Sequence, residues 1–217
     1  MKLAAVRIQG YRAHEDTTVT LENDLTVVVG RNNTGKTSFI EIIDKFIGNN
    51  KRNGIHATDF SAGQRRQLLD ALRCKSKKRN NNVSIPSITL TLIINYNLKD
   101  DTREDIASIA PYLTTLDTEC TTLEIECKYT PTNETYIKSI LTESTTKKSE
   151  KIEDKLLKLI EESGEYKTTY QARSTFADNT IKNTNEARIL TKEEVRAIVN
   201  QPRRYIDRQW SSPFVCV

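Results

Sequence analysis

Apolar side chains follow three different spacings in the first 48 residues. Residues 3–9 and 17–22 read as short strands, because Val6 and Ile8, and then Val19 and Leu21, lie at alternating positions, which is the period of a half-buried β-strand. Residues 25–29 form a continuous, mainly β-branched run, and such a run predicts a strand that is buried on both faces. Residues 36–47 are apolar at helical spacing, and Gly48 is typical of a helix end. The pattern predicts three strands followed by one amphipathic helix.

The rest of the chain contains two more alternating segments and two amphipathic ones. Residues 87–96 and 121–129 alternate apolar and polar side chains, which predicts an antiparallel sheet with one face in water. Residues 152–160 have helical spacing, and residues 191–198 begin with a Thr-x-x-Glu capping box. Residues 165–189 carry no firm signal. The chain as a whole is predicted to be a mixed α/β protein.

Composition narrows the class of protein. The 217 residues suffice for one or two domains, and 36% of them are hydrophobic, against about 45–50% in average globular chains. No apolar run approaches the ~18–20 residues of a membrane helix, so no contact with a membrane is expected. The four cysteines include no Cys-x-x-Cys pair and there are two histidines. This argues against a zinc site and favours reduced thiols in the cytoplasm.

Charge is distributed unevenly along the chain. The formal net charge is +4, with a net of +7 over residues 1–80 and −3 over residues 81–217. Residues 65–79 contain seven Lys or Arg and one acidic residue, Asp70. Such a cluster can neutralise DNA phosphates, or it can be the solvated face of the helix that residues 65–78 could form.

One sequence motif, between the third predicted strand and the first predicted helix, indicates a binding function. Residues 30–37 read Gly-Arg-Asn-Asn-Thr-Gly-Lys-Thr, which fits the phosphate-binding loop (P-loop) G-x-x-x-x-G-K-[ST] between a strand and a helix. Glycines at positions 30 and 35 allow backbone angles and close approaches that a side chain would block. The backbone N–H groups of the loop and the helix N-terminus can then surround phosphate groups. The sequence therefore predicts a nucleotide site.

Two side chains of the motif have specific predicted roles. Lys36 reaches the β- and γ-phosphates and is the predicted catalytic residue, and the Thr37 hydroxyl binds Mg²⁺. The chain has neither the D-x-x-G nor the N-K-x-D motif that GTPases normally show, so ATP is the expected nucleotide. The predicted nucleotide-binding residues of this segment are Gly30, Arg31, Asn32, Asn33, Thr34, Gly35, Lys36, Thr37 and Ser38.

The first 48 residues resemble the N-terminus of ATPases in the SMC, RecF and OLD (overcoming-lysogenization-defect) group, often described as AAA-family ATPases. The matching features are the opening strand into Gly10-Tyr11-Arg12, the Asn-Asn form of the P-loop, and Glu41-Ile42-Ile43. The resemblance implies the P-loop lobe of an ABC-type head, with an antiparallel β-subdomain and a helical C-terminal segment. It also implies that Arg12 lies near the nucleotide.

The same resemblance implies partners. Two heads of such ATPases bind ATP between them, and members act on DNA as repair factors, chromosome organisers or antiphage nucleases. We therefore expect self-association as a dimer or larger assembly, contact with DNA, and a nuclease domain or subunit as an optional partner.

A Walker B strand of such a head ends in Asp-Glu, where Asp holds Mg²⁺ through water and Glu positions the attacking water. The best apolar run, residues 92–95, ends in Asn95, which cannot supply the negative charge. Asp100 and Asp101 follow too late along the chain. The simplest expectation is that the chain is the N-terminal part of a larger ATPase and that Walker B lies outside it.

Residues 60–66 (FSAGQRR) resemble the ABC signature Leu-Ser-Gly-Gly-Gln followed by a helix. They lie much closer to Lys36 than such families place a signature. One alternative is an ordinary loop and helix start with Ser61 as the N-cap. Another is a loop in which Gln64 senses the nucleotide.

The expected domains are a P-loop ATPase lobe over residues 1–145 and a helical insertion, or the start of a missing remainder, over residues 146–217. The leading interpretation is the ATP-binding lobe of an OLD- or RecF-like DNA-processing ATPase, with antiphage defence as one setting, whose hydrolysis is completed outside this chain. One alternative is a non-catalytic, ATP-dependent assembly module. Another is a small P-loop kinase, whose lid arginines would be Arg203, Arg204 and Arg208.

Overall fold

The computed structural model describes residues 1–22, 25–32, 34–48, 54–73, 85–99, 101–115, 120–132, 166–176, 187–199 and 214–216. The strands in these ranges are β1 Lys2–Tyr11, β2 His14–Thr20, β3 Thr26–Val28, β4 Ile88–Asn95, β5 Cys120–Pro131, β6 Tyr166–Phe176, β7 Arg188–Leu190 and β8 Phe214–Cys216. The helices are α1 Lys36–Ile47, α2 Ala62–Arg73, α3 Arg103–Ile109 and α4 Lys192–Val199, with short 3₁₀ turns at Ala57–Asp59 and Ala110–Tyr112.

Six strands form one antiparallel sheet in the order β2-β1-β4-β5-β6-β7. The register brings Val6, Leu92 and Ile125 side by side on its inner face, and all three are buried. The next row in register begins with Arg7 and is polar. This alternation is what an antiparallel sheet with one covered face requires, and it confirms the alternating strands predicted from the sequence.

Helix α1 packs on the covered side of this sheet. Its side chains Phe39, Ile42 and Phe46 are buried in the same core as the inner row of the sheet. The hydroxyl of Tyr170, on β6, donates a hydrogen bond of 2.9 Å to the carbonyl oxygen of Phe46. The predicted helix of residues 36–47 is therefore confirmed, and β6 holds its last turn.

Helix α4 packs against the same end of α1. Its side chains Val195 and Ile198 are buried. Its Arg196 guanidinium donates to the carbonyl oxygens of Ile47 and Gly48, where the carbonyls of α1 lack helical partners. A cation at a helix C-terminus also opposes the negative end of the helix dipole.

The predicted capping box at the start of α4 is confirmed. Thr191 Oγ1 accepts a hydrogen bond of 3.2 Å from the Glu194 backbone, and the Glu194 carboxylate accepts one of 2.7 Å from the Thr191 N–H. The helix predicted at residues 152–160 lies outside the described residues. Among the residues that are described, none of the helices is long and apolar enough to span a membrane.

The second sheet is a parallel pair of short strands, β3 and β8, with Val27 opposite Val215. The prediction that strand 25–29 is buried on both faces is wrong. Leu25, Val27 and Val29 are 56%, 47% and 75% exposed. Parallel sheets normally have both faces covered, so this side of β3 is unusual for its type.

Strands β6 and β7 fall in the part of the sequence that gave no firm signal. The inward positions of β6 include Tyr170 and the small side chain of Ala172, while residues 167–169 between Tyr166 and Tyr170 are exposed. An apolar/polar alternation is therefore weak, and the strand is defined by its pairing with β5. The predicted boundary at residue 145 lies outside the described residues and stays a prediction, although strands from both sides of it share one sheet.

Candidate nucleotide-binding site

The P-loop closes on itself between β3 and α1. Lys36 Nζ donates a hydrogen bond of 2.5 Å to the carbonyl oxygen of Gly30, so its side chain folds back over the loop. Thr34 donates to the Arg31 carbonyl through its hydroxyl at 2.8 Å and its backbone N–H at 3.4 Å. A Cβ on Gly30 would lie 2.9 Å from Thr34 Oγ1, so a larger residue there would displace the Thr34 hydroxyl that bonds Arg31.

Gly35 connects the loop to α1. It is the N-cap of the helix in the left-handed conformation, with φ +94° and ψ 4°, and glycine adopts this conformation without strain. Its carbonyl accepts the first helical hydrogen bond, at 2.9 Å from the Phe39 N–H. No side chain caps this end, and the first turn contains no acidic residue. Such a helix start is suited to an anion.

The other predicted loop residues lie around this helix start. Arg31 and Asn32 are exposed, and so is Thr37, on the first turn of α1. Ser38 is half-buried, and Asn33 lies outside the described residues. The structure thus brings the described members of the motif together, as the sequence predicts for neighbours along the chain.

Thr37 has the chemistry that Mg²⁺ requires. Mg²⁺ prefers oxygen ligands and is usually bound by few protein groups together with substrate phosphates. Within the described ranges, no group of three or more His, Cys, Asp or Glu side chains could hold a metal ion. The exposed hydroxyl of Thr37 fits a metal that arrives with a nucleotide, and its role as a Mg²⁺ ligand stays a prediction.

Arg12 stands beside the same helix turn. It lies in the β1–β2 turn with φ +46°, a left-handed conformation that is uncommon for a residue with a side chain. Its guanidinium forms an ion pair with Glu41 of α1 and a 2.9 Å hydrogen bond with Asp59. Arg12 Nη1 is 3.5 Å from Ser38 Oγ. Arg12 therefore lies beside the first turn of α1, and its predicted place near a nucleotide stays a prediction.

Asp59 is the centre of a buried charge cluster. Its carboxylate accepts hydrogen bonds from Arg12, from Lys45 at 3.0 Å and from the His56 N–H at 3.0 Å. The side chains of Asp59 and Lys45 are 1% and 3% exposed. Burial alone would raise the pKa of Asp59, but the His56 N–H, Lys45 and Arg12 together hold it below its ordinary value. No short-range sequence signal marks this cluster, because its members are far apart along the chain.

The segment that resembles an ABC signature is part of the interior. Phe60 and Ser61 are fully buried, and the Ser61 N–H donates to the Gly10 carbonyl at 2.9 Å. Ser61 Oγ accepts a hydrogen bond of 3.3 Å from the Gln64 N–H, which is the contact of an N-cap. A signature must reach the nucleotide of a second molecule, so the signature interpretation is wrong and the N-cap alternative is confirmed.

Gln64 is engaged with the start of β4. Its side-chain amide donates a hydrogen bond of 2.7 Å to the Ser87 carbonyl. A Cβ on Gly10 would collide with this amide, so the β1 strand end requires glycine there. A role of Gln64 in nucleotide sensing stays a prediction.

The Walker B-like run belongs to the antiparallel sheet. Asn95 pairs with Lys2, at one end of β1, while Tyr11 at the other end leads into the turn that meets the P-loop. Ten strand residues span about 30 Å. Asn95 is therefore remote from the P-loop, as expected for a segment that is not a Walker B motif.

Of the basic stretch, Arg65 is half-buried and Arg66 exposed at the start of α2. The basic side chains at positions 73–79 lie outside the part of the chain that the structure describes, and so do those of Arg203, Arg204 and Arg208. The predictions that rest on them are not tested by the structure.

Fold and loop geometry together define the P-loop lobe of an SMC/RecF-like ATPase. A family model described as AAA ATPase domain matches residues 1–207, and the chain belongs to that family. A Sulfolobus acidocaldarius protein named DNA double-strand break repair Rad50 ATPase is 31% identical over 109 residues. The match covers 49% of this chain and 11% of that protein, so the chain spans about a ninth of its length.

Proposed function

We propose that this chain is the ATP-binding lobe of an OLD- or RecF-like DNA-processing ATPase, and that elements outside its 217 residues complete the hydrolytic site. The observation that carries the proposal is the closed P-loop at the start of α1. Lys36 lies over the loop, Gly35 opens the helix in the left-handed conformation, and the helix start has no acidic residue to repel phosphate.

Different residues of the loop would bind different parts of Mg-ATP. Backbone N–H groups and the helix start would surround the phosphates, and Lys36 would neutralise the β- and γ-phosphates. Thr37 would hold Mg²⁺, which neutralises phosphate charge when bound. Arg12 would approach the γ-phosphate side from the β1–β2 turn, within reach of Ser38.

Completion of the site from outside this chain has two supporting observations. The carboxylates described near the loop, Glu41 and Asp59, are paired with Arg12 and Lys45, so neither is placed to activate water. The apolar face of Leu25, Val27 and Val29 is exposed, as expected for a sheet against which a further lobe packs.

The partners follow from the family and its relative. Rad50 is named for DNA double-strand break repair, which supports DNA as a partner of this chain, together with the basic stretch at 65–79. Association of two heads around ATP follows from the SMC-like lobe. A nuclease partner, an antiphage setting and the cytoplasmic location stay predictions from the sequence.

The test is Mg-ATP binding and turnover by the pure chain, with Lys36→Ala beside it. We expect binding to weaken roughly 10- to 100-fold in Lys36→Ala, because a charge-assisted contact with phosphate is lost. Lys99→Ala, which removes an exposed lysine elsewhere, is the control and should bind as the wild type does. Unchanged binding by Lys36→Ala would contradict the ATP site, and turnover that depends on Lys36 would contradict completion from outside.

The non-catalytic assembly module is favoured by one observation: Glu41 and Asp59, two carboxylates near the loop, are both engaged in ion pairs. It predicts that ATP changes the mass of the particle in solution without being hydrolysed, even when a completing lobe is supplied. Turnover restored by that lobe would exclude it.

A further inference from the structure

The carbonyl oxygen of Gly35 receives hydrogen bonds from two directions. One comes from the Phe39 N–H at 2.9 Å, within α1, and the other involves Nε2 of His14, at 3.0 Å. A carbonyl oxygen can only accept, so Nε2 of His14 carries the proton and donates it. A side chain of the antiparallel sheet thus contacts the backbone of the P-loop directly.

His14 is held in place for this contact. It is 7% exposed and pairs with Tyr11 across the β1–β2 turn. A Cβ on Gly35 would lie 2.8 Å from His14 Nε2 and 3.5 Å from the Cβ of Ala13. The β1–β2 turn therefore packs directly against Gly35. The same turn is also joined to α1 by the ion pair between Arg12 and Glu41.

The position of this carbonyl matters for the neighbouring donor. The C=O of Gly35 and the N–H of Lys36 belong to one planar trans peptide unit and point in opposite directions. A hydrogen bond that fixes the carbonyl therefore fixes the direction of the Lys36 N–H. That N–H lies at the N-terminus of α1, the end of a helix that favours anions.

We propose that His14 is a positioning residue for the P-loop: by donating from Nε2 to the Gly35 carbonyl, it fixes the peptide unit that joins the loop to α1 and so preorganises the loop for phosphate. The inference rests on the proposed function, because it requires the loop to bind a nucleotide. It goes beyond the sequence pattern, which lies entirely within residues 30–38. A preorganised loop loses less freedom on binding, so affinity rises without a new contact to the ligand.

The substitutions that test this are His14→Ala and His14→Gln. Alanine removes the donor, and we expect Mg-ATP to bind roughly 3- to 10-fold more weakly, which corresponds to one hydrogen bond. Glutamine carries its Nε2 the same number of bonds from Cα as histidine does, so it should bind within about twofold of the wild type. Melting temperatures without nucleotide are measured in parallel, because a purely structural role would lower them and leave the affinity of the folded protein unchanged.

His14→Asn keeps a polar side chain that is one bond too short, and it replaces the alanine variant if that one does not fold. The proposal is supported when Ala or Asn weakens binding and Gln restores it. It is overturned when the folded Ala or Asn variant binds Mg-ATP as the wild type does, or when a folded Gln variant binds as weakly as they do. Lys36→Ala separates the two proposals: if it weakens binding as expected while His14→Ala does not affect it, only the role of His14 fails. If the wild type does not bind Mg-ATP, both fail.

Discussion

The two sheets of this molecule differ in how completely they are covered. The antiparallel sheet has a buried inner face on which α1 packs, and residues such as Val6 and Leu92 are hardly exposed there. The parallel pair β3–β8 leaves the side of Leu25, Val27 and Val29 exposed. Both belong to one chain, and the P-loop lies between β3 and α1, where the covered part meets the open part.

The difference separates the part of the molecule that holds α1 from the part that is left open. Among the described residues, both ends of α1 are held by side chains of the covered part: His14 and Arg12 near its start, Tyr170 and Arg196 at its end. The side of β3 with Leu25, Val27 and Val29 is exposed apolar area. We infer that this open face is where the completing lobe would pack.

The largest expected loss of stability comes from removing the carboxylate of Asp59, which links Lys45 of α1 to Arg12 in the β1–β2 turn. In Asp59→Asn, the ammonium of Lys45 stays buried and loses its charged partner, which costs about 3–5 kcal/mol of the free energy of unfolding. Urea unfolding at neutral pH measures this loss. Asp16→Asn is the control, because Asp16 pairs with Arg7 at an exposed site and should change stability little.

The pH dependence of stability provides a second test of the Asp59 cluster. The pKa of Asp59 is lower in the folded chain than in the unfolded one, so its contribution to stability is present above the unfolded pKa of about 3.9. That contribution is lost as pH falls below this value and through the folded pKa. The stability difference between wild type and Asp59→Asn should therefore shrink under acid. A difference that stays constant down to low pH would show that the charge of Asp59 is not its source.

A smaller effect is expected where β6 holds the end of α1. Tyr170→Phe removes the hydroxyl that bonds the Phe46 carbonyl and should lower the free energy of unfolding by about 1–2 kcal/mol. Tyr166→Phe is the matched comparison, since its hydroxyl bonds the Pro86 carbonyl, which is outside α1, at 3.2 Å. Faster hydrogen exchange in the last turn of α1 should follow Tyr170→Phe only; equal exchange in both variants would contradict the contact's role.

Sequence reasoning succeeded where the signal is local. The P-loop and α1 are defined by neighbours in the chain, and so is the capping box of Thr191 and Glu194. It failed on β3. A run of apolar side chains shows that a strand could be buried, but it does not show whether another part of the protein covers that strand. Strand β6 was missed because Tyr166 and Tyr170 are separated by three exposed residues and the next inward side chain, Ala172, is small.

Long-range contacts were beyond sequence reasoning for a different reason. His14 and Gly35 are 21 positions apart, and Arg12 and Asp59 are 47 apart. No spacing rule connects such residues, and only the folding of the β1–β2 turn onto α1 brings them together. The burial of Ser61, which decides between signature and N-cap, is equally a property of the fold.

The smallest expected effect is at Val27, and it tests the comparison most directly because the same substitution can be made in each sheet. Val6→Ala and Val27→Ala remove the same two methyl groups from a strand, but Val6 is fully buried while Val27 is 47% exposed. Val6→Ala should lower the free energy of unfolding by about 2 kcal/mol, and Val27→Ala should change it by less than about 0.5 kcal/mol. Equal losses in urea unfolding would mean that Val27 is covered in the isolated chain. That result would contradict the inference that a completing lobe packs on this face of β3. A small loss at Val27 that becomes large once the completing lobe is supplied would show that this lobe packs on β3.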